Sequence, residues 1–188
     1  MSMENNITSY INWNINYKKL LSYKKCVIIY DLTYHFCSRY LDPKDRTYDQ
    51  MIQAARSGKQ NIVEGYADMA TSKEMGIKLF NVARGSLLEL YEDYNDYLRV
   101  RGLRIWEEQS PEATTMNQLA FKNSDPTYFT SLIETRNDET IANMAIIVIK
   151  QAIVLLHRYL ERVSQNFANE GGFREKMTQV RINTRKKQ

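Results

Sequence analysis

Proline, cysteine and histidine are scarce in this chain, at three, two and two residues among 188, and glycine is limited to seven. So few turn-formers cannot punctuate a many-stranded sheet, and they leave room for long helices. Neither His35 nor His157 stands three residues after a carboxylate, which excludes the paired Glu-x-x-His ligands of a di-metal bundle. Cys26 and Cys37 lack the close spacing of a zinc or redox motif. On one helix they would lie about 16 Å apart at 1.5 Å rise per residue, too far for a disulfide. Buried thiols in a reducing compartment are expected. No glycine-rich phosphate loop, nucleophile elbow or Cys/His cluster occurs. No cofactor and no metal are expected, and catalysis has no motif to rest on.

Residues 1–16 hold five asparagines but neither a basic n-region nor an apolar h-region. The most apolar run, 145–156, is broken by Lys150-Gln151 and is short for a bilayer. A soluble, cytoplasmic protein with no membrane partner is expected. A chain of this length fits one domain with a sizeable core.

Helical periodicity is what the chain does contain. Met51, Ala55, Gly58, Ile62 and Gly65 recur at steps of four, three, four and three, one face of a helix. A glycine inside a helix costs roughly 1 kcal/mol against alanine, so Gly58 needs an offsetting gain. Close approach of a second helix supplies one. The same periodicity predicts four long helices, at 17–40, 47–69, 72–101 and 138–169. Asp42-Pro43 ends the first, because the residue before proline is pushed out of helical geometry. The first helix should bury Leu21, Ile28, Leu32 and Phe36, with His35 beside them and Leu20, Val27 and Tyr34 widening the face. The third opens on a capping box from Thr71 to Glu74 and stops at Gly102. Its core face is Gly76, Phe80, Ala83, Leu87, Leu90, Tyr94 and Leu98.

Between the third and fourth helices lies a polar segment, 104–137, holding Pro111 and Pro126 and expected to form a short helix at 128–134. The fourth helix, ended by Gly171-Gly172, has more apolar surface than one stripe needs. Ile141, Ala145, Val148, Ala152, Leu155, Tyr159 and Val163 make the stripe, while Ile146, Ile147, Ile149, Ile153 and Val154 lie largely off it. That surplus should meet another subunit or the inserted segment, the subunit being favoured. The fold class is therefore all-α, an antiparallel up-and-down four-helix bundle with a long insertion and a basic tail. Its organisation is an irregular segment at 1–16, the bundle at 17–171, and the tail at 172–188.

The net charge of +4 divides unevenly: residues 174–188 carry +5, which leaves −1 on the rest. The tail's Arg174, Lys176, Arg181, Arg185, Lys186 and Lys187 are candidates for phosphate contact. So are Arg56 with Lys59, then Arg99, Arg101 and Arg104, and Lys18-Lys19 with Lys24-Lys25. Thirteen tyrosines offer stacking surfaces but also pack bundles routinely. The acidic run Glu89, Glu92, Asp93 and Asp96 reads as a solvated helix face. His157 with Glu161 is an ordinary i,i+4 pair.

Gln50, Ala54-Ala55, Ser57 and Asn61-Ile62-Val63-Glu64-Gly65, followed by Ala83-Arg84-Gly85-Ser86-Leu87-Leu88-Glu89-Leu90, form two spaced motifs. With them the chain resembles the four-helix-bundle family of proteins encoded in intervening sequences of bacterial 23S rRNA genes. Gly58 stands where that family usually has a branched aliphatic residue, and Gln53 where it often has arginine. The long 104–137 segment and the basic tail look like the variant with an added C-terminal part. The resemblance implies a ring-like homopentamer and a distant likeness to the accessory protein of diversity-generating retroelements. It also makes Gly58, Asn61, Glu64, Gly65, Gly85 and Glu89 structural motif residues. Glu89 is placed toward the helix interior by the signature, with Arg56 or Arg84 as partner. Asn61 and Glu64 are expected to bond across helices or to cap the end near Gly65, in preference to Glu64 acting as a general base.

Three functions follow in order. The first is a non-catalytic oligomer that binds RNA or DNA through backbone phosphates, as a scaffold for a partner enzyme. The second is a protein-interaction module docking a partner through helix four and the 104–137 segment, without nucleic acid. A small-molecule enzyme comes last, because it needs a deep pocket with convergent polar groups.

Overall fold

The computed structural model describes residues 16–170 and, beyond them, Thr178, Ile182, Asn183 and Arg185. The expected irregular segment (apart from Asn16), the Gly171-Gly172 stop and tail residues Arg174, Lys176, Arg181, Lys186 and Lys187 lie outside the described residues. Among those described the fold is all-α, with no strand. A 3-10 turn, Tyr17–Lys19, leads through extended Leu20 into α1 (Leu21–Tyr40). Then come α2 (Arg46–Asp68), α3 (Lys73–Val100), α4 (Pro111–Lys122), α5 (Pro126–Ile133) and α6 (Asp138–Glu170).

Side-chain caps set where these helices begin. The Asp45 carboxylate accepts from the Thr47 N–H at 2.9 Å, and the Ser110 hydroxyl accepts from the Ala113 N–H at 3.2 Å. Asp125 does the same for Thr127 at 3.0 Å. The cap of α3 is Ser72, which accepts from the Met75 N–H at 3.2 Å, one residue later than expected. Thr71 is used instead to close α2, its N–H and hydroxyl both donating to the Asp68 carbonyl. Gly102, at φ +65°, stops α3 by letting the Leu103 N–H reach back to the Leu98 carbonyl at 2.9 Å.

α2 packs between α1 and α3, and α6 also touches both α1 and α3. The tightest seam is α2 on α3. Gly58 sits against Leu87 and Ala83, and Gly65 against Phe80, Leu79 and Gly76. A Cβ on Gly76 would lie 2.8 Å from the Gly65 carbonyl oxygen, so two backbones touch there with no room for a side chain. Met51, Ala55, Gly58, Ile62 and Gly65 are all buried, as is the whole expected face of α3. Phe36, Tyr94 and Tyr97 cluster edge to face at one end, and Tyr94 donates to Thr33 Oγ1 at 3.1 Å.

Two expectations for α1 fail. Leu21 and Tyr34 are 53% and 54% exposed. α1 is covered by α2, α5 and α6 together, so its buried arc turns to take in Cys26, Ile29, Thr33 and Cys37. Both thiols are free and buried, and burial pushes each up to about 12.

The 104–137 segment is more ordered than its composition suggested. Pro111 and Pro126 each open a helix at its first position, where the missing N–H costs nothing. α4 lies along α6 and buries Ala113, Met116 and Ala120, while α5 sends Phe129 and Ile133 toward α1. The surplus apolar face of α6 is thereby largely covered within one chain. Ile146 and Ile149 are buried, Ile147 and Ile153 half-buried, and Val154 is 48% exposed. Of the two covers expected, the inserted segment is the one present, so this face no longer requires a second subunit. Asn143 fastens the start of that segment. It is buried, accepts from the Trp106 N–H, and donates to the carbonyls of Arg104 and Glu139, all at 2.8 Å.

By length and composition the Asp138–Gln165 stretch of α6 is long and apolar enough to cross a membrane, contrary to the expectation from its shorter run. Of its most apolar window, 56% is buried inside the fold.

Candidate functional site

Arg99, Arg101 and Arg104 follow one another around the Gly102 turn. Arg99 meets Asp96 at 2.6 Å, with both side chains about two-thirds exposed at 67% and 63%. The Arg101 guanidinium lies over the Tyr97 ring, 3.8 Å from its centroid. Arg104 pairs with Glu112 at 2.9 Å, and its backbone N–H donates to Glu139 at 3.0 Å. Exposed pairs of this kind contribute about 0–1 kcal/mol, so an incoming phosphate can displace them at little cost.

The other basic candidates are scattered. Arg56 is exposed on α2, and Arg185 is exposed in the C-terminal stretch. Lys59 is half-buried, its ammonium 4.0 Å from the centroid of the Tyr30 ring, and it holds down the raised carboxyl of Asp31, whose shift burial causes. Lys18 and Lys19 are exposed, but the patch expected to join them to Lys25 does not form. Lys25 is 3% exposed, and its ammonium donates to the carbonyls of Ala120 and, at 2.9 Å, Asn123. A signal for this was present. Lys25 precedes Ile28, Leu32 and Phe36 by three, seven and eleven residues, so the buried face of α1 runs straight back onto it.

The two signature motifs meet across α2 and α3. Ser57 Oγ and Ser86 Oγ share a hydrogen bond of 2.9 Å, and Asn61 Nδ2 donates to Ser57 O and Oγ at 2.9 and 3.1 Å. Asn61 thus reaches the neighbouring helix only through Ser57. Glu64 is exposed. Glu89 is also exposed, against the expectation of an inward carboxylate: Ser86 and Leu90 take the inward positions, and Glu89 needs no buried partner. Gly85 has nothing within 4 Å of where a Cβ would stand, so helix packing in one chain does not explain it.

A groove of ≈ 660 Å³ opens beside this seam, lined by Arg46, Asp49, Glu89 and Asp93 together with Ser57 and Ser86. Burial raises the carboxyl of Asp93, and the neighbouring Glu89 and Asp96 raise it further. Three carboxylates against one arginine make this groove unfavourable for phosphate. Among the described residues no three His, Cys, Asp or Glu side chains are arranged to hold a metal ion. His157 and Glu161 form the expected helix pair at 3.3 Å.

No protein-family model matches this chain, and no curated protein or solved structure matches it either.

Proposed function

We propose that the protein is a non-catalytic helical scaffold that engages the phosphate backbone of RNA or DNA through Arg99, Arg101 and Arg104. The observation that carries this reading is their succession around the Gly102 turn, Arg99 and Arg104 paired with exposed carboxylates that phosphate can outcompete and Arg101 lying over the Tyr97 ring. The six basic residues of the tail add to the same electrostatics. Binding through three phosphates gives a slope of log affinity on log salt of about −0.9 per contact on duplex DNA and −0.7 on single strands. Replacing the three arginines together by alanine is expected to flatten the slope by two to three contacts. An unchanged slope, or no binding to any of RNA, single-stranded or duplex DNA, refutes the reading.

The architecture proposed for this scaffold is an antiparallel up-and-down four-helix bundle of α1, α2, α3 and α6. Contacts that descend α3 as they ascend α2, from Gly58 with Leu87 to Gly65 with Gly76, support it. The closed circuit of contacts among the four helices supports it too. Kinship with the intervening-sequence family, and the homopentamer it implies, rest on the two motifs. Met75, Val82 and Leu88 on α3, each 45–50% exposed, are apolar surface that a second copy would cover. A 22.1 kDa particle by light scattering at micromolar concentration rules out self-association. The cytoplasmic setting is likewise part of the proposal, supported by the free thiols and the burial of α6.

A further inference from the structure

A cavity of ≈ 430 Å³ lies between the N-terminal turn of α1, the outer face of α4 and the middle of α6. Its walls are mostly apolar. Leu21 comes from α1, Phe121 from α4, and Ile147, Val154 and Leu155 from α6. Leu21 and Phe121 are 53% and 81% exposed, so this is also where the chain leaves large apolar groups in water. The volume is within the ordinary range for small-molecule sites. Asn117 and Gln151, joined by hydrogen bonds of 2.6 and 2.9 Å, tie α4 to α6 along one side.

The charge at this cavity is unbalanced. Lys25 lines it from within, with Lys150 and Arg158 also lining it, against one carboxylate, Glu108. The Lys25 ammonium has three hydrogens and uses two, on the Ala120 and Asn123 carbonyls. Among the described residues no carboxylate forms an ion pair with it. A buried cation without a counter-ion is costly, and an anion reaching it recovers that cost. Burial holds its ammonium down to about 8, so it is mostly charged near neutral pH.

We propose that this cavity binds a single-chain carboxylate, a fatty-acid-like ligand whose alkyl chain lies between Phe121 and Val154 while its carboxylate takes the free hydrogen of Lys25. Lys150 and Arg158 add to the attraction. The site is separate from the arginine edge, and the inference does not depend on nucleic-acid binding.

Titration calorimetry of the full chain with laurate below its micellar concentration tests this, with dodecanol and dodecyltrimethylammonium as uncharged and cationic counterparts. Laurate is expected to bind at least tenfold more tightly than either. Val154→Trp should fill the cavity and abolish binding, and Lys150→Glu with Arg158→Glu, both exposed, should weaken laurate several-fold without affecting the fold. Lys25→Met should reduce the preference for laurate over dodecanol if the variant folds by circular dichroism, and the Lys150/Arg158 pair carries the test if it does not. Equal binding of all three amphiphiles overturns the proposal, as does unchanged affinity in Val154→Trp. No binding of laurate at millimolar concentration also overturns it. A change of oligomeric mass in Val154→Trp that is unaffected by laurate assigns the face to a second copy and overturns it as well.

Discussion

Substituting alanine at Gly76 and at Gly85, on the same helix, isolates the energy of the α2–α3 seam. Each replacement gains about 1 kcal/mol in helix propensity, so that contribution cancels in the comparison. At Gly85 the new methyl meets nothing within 4 Å, and the full gain should appear as added stability. At Gly76 it would stand 2.7 Å from Met69 Cγ and 2.8 Å from the Gly65 carbonyl oxygen. Met69 can swing away, but the carbonyl belongs to a helix and moves only if α2 moves. Overpacking of this kind costs about 1–3 kcal/mol. Gly76→Ala should therefore be less stable than Gly85→Ala by about 1–3 kcal/mol, and near or below the wild type. Gly58→Ala should fall between them, because its methyl presses only on the Leu87 side chain, at 3.0 and 3.2 Å, and lies at an ordinary 3.7 Å from the Ala83 carbonyl oxygen. Urea unfolding with a common m-value measures all three, and in a domain of this size each kcal/mol moves Tm by about 2–4 °C. Equal stability of Gly76→Ala and Gly85→Ala refutes the claim that backbone contact holds this seam.

Asn143→Ala strands the Trp106 N–H and the Arg104 carbonyl, and should cost about 2–3 kcal/mol while deprotecting the Trp106 amide to hydrogen exchange. Protection like that of the wild type contradicts the role of Asn143 as the fastening of the inserted segment. A thiol-specific reagent at pH 8 should label neither Cys26 nor Cys37 in the native protein and both in urea, since each thiol is buried and held near 12. Asp93→Asn should raise stability at pH 7. A carboxyl raised in the folded state binds more protons there than when unfolded, so stability falls as pH climbs from its unfolded value of 3.8 through the folded one. Below that window wild type and variant should agree, and a variant stabilised equally at every pH removes the carboxyl's charge as the cause.

Periodicity and backbone chemistry were enough to locate the helices and most of their inner faces. The four-three spacing of Met51 to Gly65 and the face from Gly76 to Leu98 are buried as read, because a helix repeats every 3.6 residues whatever surrounds it. Gly102 stops α3 for a reason equally local, a φ that other residues resist. Pro111 and Pro126 could have been read as helix openings too, since Ser110 and Asp125 stand before them as caps. What covers α6 was not a local question. The same isoleucines suit a second subunit or an inserted helix, and only the path of the chain from Arg104 into α4, fastened at Trp106 by Asn143, decided for α4. Lys25 and Glu89 show the same division between local and tertiary causes. Periodicity puts a residue on a face, but whether that face meets water, a carbonyl or a carboxylate depends on which distant segment packs there.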